Sequence, residues 1–125
     1  MLEEEFVPYN LAKQIKQLGF KQECFGYYID VEVPSPFLVK NIISDDQGGY
    51  FTLAPTFSQA FRWFREKYNL RHSVFEIEDK NKISGSIKGT RKNNFKHYGF
   101  IDFYDTDKEA ELECLKKLIE LCKNQ

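Results

Sequence analysis

Three cysteines (Cys24, Cys114 and Cys122) and two histidines (His72 and His97) are the residues of this chain best suited to nucleophilic or metal chemistry. Metal binding needs three or four His, Cys or acidic ligands at short, defined spacing, and the chain has no such group. Cys114 and Cys122 lie on one helical stretch with no histidine near them in sequence, the pattern of buried structural thiols. A cysteine nucleophile would require His72 or His97 beside a thiol of lowered pKa, a requirement that scattered residues rarely meet. Asp45-Asp46 before Gly48-Gly49 lacks the alternating ligands and terminal Glu of a calcium loop and reads as a turn. Gly85-Ser86-Ile87-Lys88-Gly89 precedes no helix and has the wrong spacing for a phosphate loop or a dinucleotide fingerprint, so it reads as a hairpin segment. The expectation is a non-enzymatic protein with no cofactor and no metal.

Charge segregation is the feature that rises above background. From Lys80 to Tyr98 the chain carries Lys80, Lys82, Lys88, Arg91, Lys92 and Lys96 without an acid, interleaved with Phe95, His97 and Tyr98. Cations beside accessible aromatic faces are what sequence-tolerant nucleic-acid binding uses, through phosphate neutralisation and base stacking. Lys88, Arg91, Lys92 and Lys96 are the candidate contacts. The competing explanation is structural: lysines on edge strands prevent edge-to-edge aggregation, and Asp102, Asp105, Asp107, Glu109, Glu111 and Glu113 follow closely enough to neutralise the patch. A second candidate is Trp63, about 120° around its helix from Phe57. Flanked by Arg62 and Lys67, it is a candidate anchor for a protein interface, or a cover for the chain's own segment from 30 to 50.

The elements that must position these residues are readable in outline. A length of 125 residues fits a single domain, 1–125, large enough to fold without disulfide or metal. Its 42% hydrophobic, 16% aromatic and 30% charged composition is that of a folded protein, and a net charge of −1 gives no global attraction to nucleic acid or anionic lipid. The odd cysteine count, the acidic start Met1-Leu2-Glu3-Glu4-Glu5 and the lack of a long apolar run lead to the expectation of a cytoplasmic protein without membrane association.

The central element is the helix from Thr56 to Asn69, where Thr56 and Gln59 make a capping box and Asn69 a left-handed stop. Phe57, Ala60, Phe61, Phe64 and Tyr68 form its apolar stripe. Before it, Pro8 to Gly19 reads as a short helix with Leu11, Ile15 and Leu18 on one face, closed by Gly19 and Phe20. Short strands follow at 24–29, 37–43 and 50–53. Beyond Leu70 the period becomes alternating, with Ser73, Phe75 and Ile77 on one face, and residues 73–104 read as a three-stranded antiparallel meander. Thr106 and Glu109 open a last helix with Leu112, Leu115, Ile119 and Cys122 on one side. The fold class is therefore α+β, a small antiparallel sheet made of the meander plus one to three N-terminal strands, with helices on one face.

Val7-Pro8-Tyr9 with Leu18-Gly19-Phe20, Cys24-Phe25-Gly26-Tyr27-Tyr28, the run from Ala54 to Tyr68 (APTFSQAFRWFREKY) and Glu109 to Leu115 resemble a group of small uncharacterised bacterial and prophage-type proteins. The chain departs from that pattern at Lys21-Gln22-Glu23, where an acid and a proline are usual before the cysteine, and at Asn69, where glycine is usual. The resemblance implies a bacterial, mobile-element setting and no activity. The leading expectation is an accessory protein that binds a protein partner or itself through Trp63, Arg62, Lys67 and the 30–50 segment. The alternative is a nucleic-acid-binding module using the basic region 80–98.

Overall fold

Pro8 fixes the backbone ahead of the first helix, and its carbonyl accepts from Ala12 N at 2.9 Å, so helix α1 begins at Tyr9 and runs to Gln17. It ends as its sequence dictates. Gly19 takes φ 104°, Phe20 N bonds Ile15 O and Gly19 N bonds Lys16 O, the paired closure that only a left-handed residue permits. The computed structural model describes residues 5–30, 37–40 and 51–124, and the chain divides into two compact units, Met1–Ala60 and Phe61–Gln125.

In the first unit, strands β1 (Tyr27–Ile29), β2 (Phe37–Val39) and β3 (Phe51–Leu53) form an antiparallel sheet in the order β2-β1-β3. Helix α1 packs on β3, and Lys16 Nζ donates to Phe51 O at 3.1 Å. Val7, Leu11, Ile15, Phe20, Cys24, Tyr28, Leu53, Ala54 and Phe57 are buried. Two buried polar groups find partners: Tyr28 Oη donates to Val7 O at 2.7 Å, and Thr52 Oγ1 to Asp30 Oδ1 at 2.9 Å. The first strand is shorter than its aromatic run suggests, although Ala54 N still donates to Gly26 O at 3.0 Å, in step with the β1–β3 register. The expected strand over 37–43 is present at 37–39, and the rest of it lies outside the described residues.

Helix α2 (Phe57–Tyr68) is capped by Thr56, whose Oγ1 accepts from Gln59 N at 3.2 Å. The expected box is half formed. Gln59 Nε2 donates to Glu23 O at 2.6 Å, tying down a segment of the first unit instead of reaching back to Thr56. Asn69 stops the helix at φ 59°.

In the second unit, β4 (Leu70–Ile77), β5 (Lys82–Gly89) and β6 (His97–Phe100) make the meander, in the order β4-β5-β6. It was expected to run to Tyr104. Instead β6 stops at Phe100, and Tyr104 returns as an isolated bridge to Ile83. Helix α3 (Asp107–Lys123) packs on β4 and β5 and buries Ala110, Cys114, Leu115, Leu118, Ile119 and Cys122. Leu112, expected on that face, is only half-buried because the stripe is centred one position away. Thr106 Oγ1 accepts from Glu109 N at 3.1 Å and donates to Glu109 Oε1 at 3.0 Å. Gly85 is required on the helix-facing side: a Cβ there would lie 2.5 Å from Ser73 O and 2.8 Å from Cys114 Sγ. The result is α+β, with three α-helices and two small three-stranded antiparallel sheets among the described residues. Among the described residues no helix is long and apolar enough to cross a membrane.

Candidate nucleic-acid interface

Because side chains alternate along a strand, the β4–β5 register divides the second sheet into two faces. One carries Leu70, His72 and Val74 opposite Gly89, Ile87 and Gly85, and α3 lies on this side. The other carries Arg71, Ser73 and Phe75 opposite Lys88, Ser86 and Ser84. Pairing with β6 extends these ranks: Lys88 faces His97 and Ser86 faces Phe100, with a bulge between them at Tyr98. Arg71, Lys88 and His97 therefore stand in a row across all three strands. Beside that row lies a second one of Ser73, Ser86 and Phe100.

This second face is open at its Arg71–Lys88–His97 end, whereas Ser84 at the other end is buried. Arg71, Ser73, Lys88 and His97 are exposed, and Phe100 is 65% exposed. Its ring nevertheless has fixed neighbours, with the His97 ring centre at 4.6 Å and Phe75 edge-on at 6.4 Å. Of the four large apolar side chains exposed among the described residues, Phe95, Phe100 and Phe103 fall within nine positions of one another, and only Phe25 lies elsewhere.

The adjoining turn from Thr90 to Lys96 carries the remaining candidate cations. Arg91 to Asn93 form a 3-10 turn, capped by Thr90 Oγ1, which accepts from Lys92 N at 3.3 Å. Asn93 Nδ2 donates to Asn69 O at 3.0 Å, and Thr90 N donates to the same carbonyl at 2.9 Å, which fastens the turn to the end of α2. Arg91, Lys92 and Lys96 are exposed, and Lys96 Nζ sits 5.0 Å over the Tyr98 ring.

The charge balance decides between patch and internal neutralisation. Of the downstream acids, Asp105 pairs with Lys82, Glu111 with Lys108 and Glu113 with Lys116. Asp102 accepts from Phe103 N at 2.9 Å. Among the described residues no ion pair reaches Arg71, Lys88, Arg91, Lys92 or Lys96. The edge-protection explanation accounts for Lys96 beside β6 but not for Lys88, which lies on the central strand directly opposite Arg71. Like charges facing each other across a ladder are destabilising.

Trp63 is placed differently from an anchor. It is 6% exposed, with Phe64 at 5.1 Å, Tyr68 at 5.7 Å and Lys67 Nζ 5.0 Å over its ring. Arg62 and Lys67 are exposed on the same helix. Little of the indole is open to a partner, and of the 30–50 segment expected beside it residues 31–36 and 41–50 lie outside the described residues.

The thiols are all buried. Burial, reinforced by Glu111 and Glu113, pushes Cys114 up to about 11, and burial pushes Cys24 and Cys122 up to about 12, the direction opposite to an activated nucleophile. His72 moves the other way, down to about 4, through burial and the nearby Arg65 charge. A cavity of 310 Å³ lies at the far end of the sheet, lined by Glu76, Glu78, Asn81, Lys82 and Asp105 with Ile77 and Ile83. It holds neither His nor Cys, and among the described residues no cluster of His, Cys and acids could hold a metal ion.

Arg71, Phe75 and Phe100 stand apart from the basic run because all three lie outside Lys80–Tyr98. The signal was present in the alternation Arg71-Ser73-Phe75, which puts a cation and an aromatic on one face of a strand. Compared with protein-family models, curated proteins and solved structures, the chain matches none.

Proposed function

We propose that the second unit binds nucleic acid across the open face of its sheet, with Arg71 and Lys88 on phosphates, Phe100 and His97 against bases or sugars, and Arg91, Lys92 and Lys96 extending the cationic track. The observation that carries this reading is the Arg71–Lys88 pair. Two exposed cations face each other on adjacent strands, and among the described residues neither makes an ion pair with an acid. A polyanion relieves that repulsion, and the exposed ring of Phe100 supplies the apolar contact beside it. Binding of this kind needs no catalytic group. The three unbridged thiols support a reducing, cytoplasmic setting.

The protein-partner reading centred on Trp63, Arg62 and Lys67 has less support, because the indole is only 6% exposed. A gel-retardation assay with single- and double-stranded DNA and RNA at low ionic strength tests the proposal. Salt-sensitive retardation that weakens in Lys88→Ala and Arg71→Ala is the expected result. No retardation, together with self-association in sedimentation that Phe100→Ser abolishes, would reassign the face to a protein partner.

A further inference from the structure

Phe95 has a backbone that its side chain does not favour. Asn94 and Phe95 both lie in the left-handed region, each at φ 55°. Asn tolerates that conformation, whereas a bulky aromatic residue there is strained. Such strain persists only where the surroundings over-determine it. Here they do: Phe95 N donates to Thr90 O at 3.0 Å, Asn94 N to Arg91 O at 3.1 Å and Lys96 N to Asn93 O at 3.1 Å. Asn93 is itself locked, both by its bond to Asn69 and by the close approach of Gly89, where a Cβ would come within 2.6 Å of Asn93 Cβ. The turn would accept glycine at position 95 without strain. Instead it holds a phenylalanine that is 60% exposed, so most of the side chain gains no burial to offset the backbone cost.

We infer that Phe95 is a rigid stacking finger and that the nucleic acid it serves is single-stranded. The inference rests on the nucleic-acid reading above and specifies its substrate. Bases in a duplex hide their faces in the stack, whereas an unpaired strand offers one to an aromatic ring. Arg91, Lys92 and Lys96 lie within four residues of the finger, exposed and, among the described residues, in no ion pair, and they supply charge for the flanking phosphates. Phe95 and Phe100 then provide two separate aromatic platforms, one on the turn and one on the sheet face. Because the finger's backbone is already held, its ordering entropy is not lost again on binding.

Fluorescence anisotropy tests this with three labelled probes of equal length, about fifteen nucleotides: oligo-thymidine, an abasic strand and a duplex. The proteins are wild type, Phe95→Gly and Phe95→Trp. Wild type is expected to bind oligo-thymidine about tenfold or more tighter than the abasic strand and tighter than the duplex. Phe95→Gly is expected to lose most of that preference while binding the abasic strand as before and melting no lower than wild type. Phe95→Trp is expected to keep the preference. Equal binding of thymidine and abasic strands, a preference for duplex, or an unchanged preference in Phe95→Gly overturns the inference but leaves nucleic-acid binding standing. Failure of all three probes to bind refutes the underlying reading instead.

Discussion

Acid should unfold this protein partly through one residue, His72. Its ring stacks on Phe61 with centres 3.5 Å apart and planes 13° from parallel, and it sits on the helix-facing side of the sheet opposite Ile87. Burial, with Arg65 adding repulsion, lowers its pKa from 6.5 to about 4. The unfolded chain therefore takes up a proton that the folded chain refuses between those two values. Stability rises with pH wherever the unfolded state binds more protons, so this contribution is fully present above about 6.5 and lost as pH falls toward about 4. At about 1.4 kcal/mol for each pH step the full swing is about 3 kcal/mol, and solvent access at a half-buried ring reduces it to roughly 2 kcal/mol. Urea unfolding of wild type and His72→Phe at a series of pH values isolates the effect. The difference in stability between the two proteins should shift by roughly 2 kcal/mol in favour of His72→Phe between pH 7 and pH 4. Stability curves that stay parallel across that range would show that the folded protein accommodates a charged His72, and would refute the reasoning.

Other outcomes can be checked by thermal or urea unfolding. Gly85→Ala should destabilise by about 1–3 kcal/mol, because the new methyl meets the Ser73 carbonyl, which is backbone and cannot swing aside. Phe64→Ala, at a side chain that is 0% exposed, should cost about 3–5 kcal/mol, and Phe61→Ala should also remove the surface on which His72 stacks. Thr106→Ala should cost about 1 kcal/mol by freeing the Glu109 amide at the start of α3. Lys88→Glu should stabilise the sheet by a few tenths of a kcal/mol, about the value of a cross-strand pair, while weakening nucleic-acid binding.

The parts of the fold legible in the sequence are those set by local chemistry. Thr56, Asn69, Gly19 and Thr106 punctuate the helices because caps and left-handed stops depend on the residue at that position. The alternation beyond Leu70 revealed the meander because a sheet with unlike faces imposes a period of two. Non-local choices were not legible. Gln59 satisfies the capping-box pattern yet bonds the distant Glu23 carbonyl, and Trp63 lies off the apolar stripe yet is buried, with edge contacts to Phe64 and Tyr68. The candidate site was half visible for the same reason. Lys88, Arg91, Lys92 and Lys96 stand out as a run without acids, whereas Arg71 joins them only through the β4–β5 register, and the 65% exposure of Phe100 depends on the fold around it. The unusual backbone of Phe95 leaves no mark in the sequence beyond the preceding Asn93-Asn94.

The salt dependence of binding tests the central claim most directly. Affinity for a single-stranded oligonucleotide, measured across a range of salt concentrations, should fall linearly on a double-logarithmic plot, with a slope that reports the phosphates neutralised. For Lys88→Ala that slope should become shallower by about 0.7, the share of one phosphate contact on a single strand. A slope the same in wild type and Lys88→Ala, or affinity that does not respond to salt, would contradict a role for the open sheet face in nucleic-acid binding.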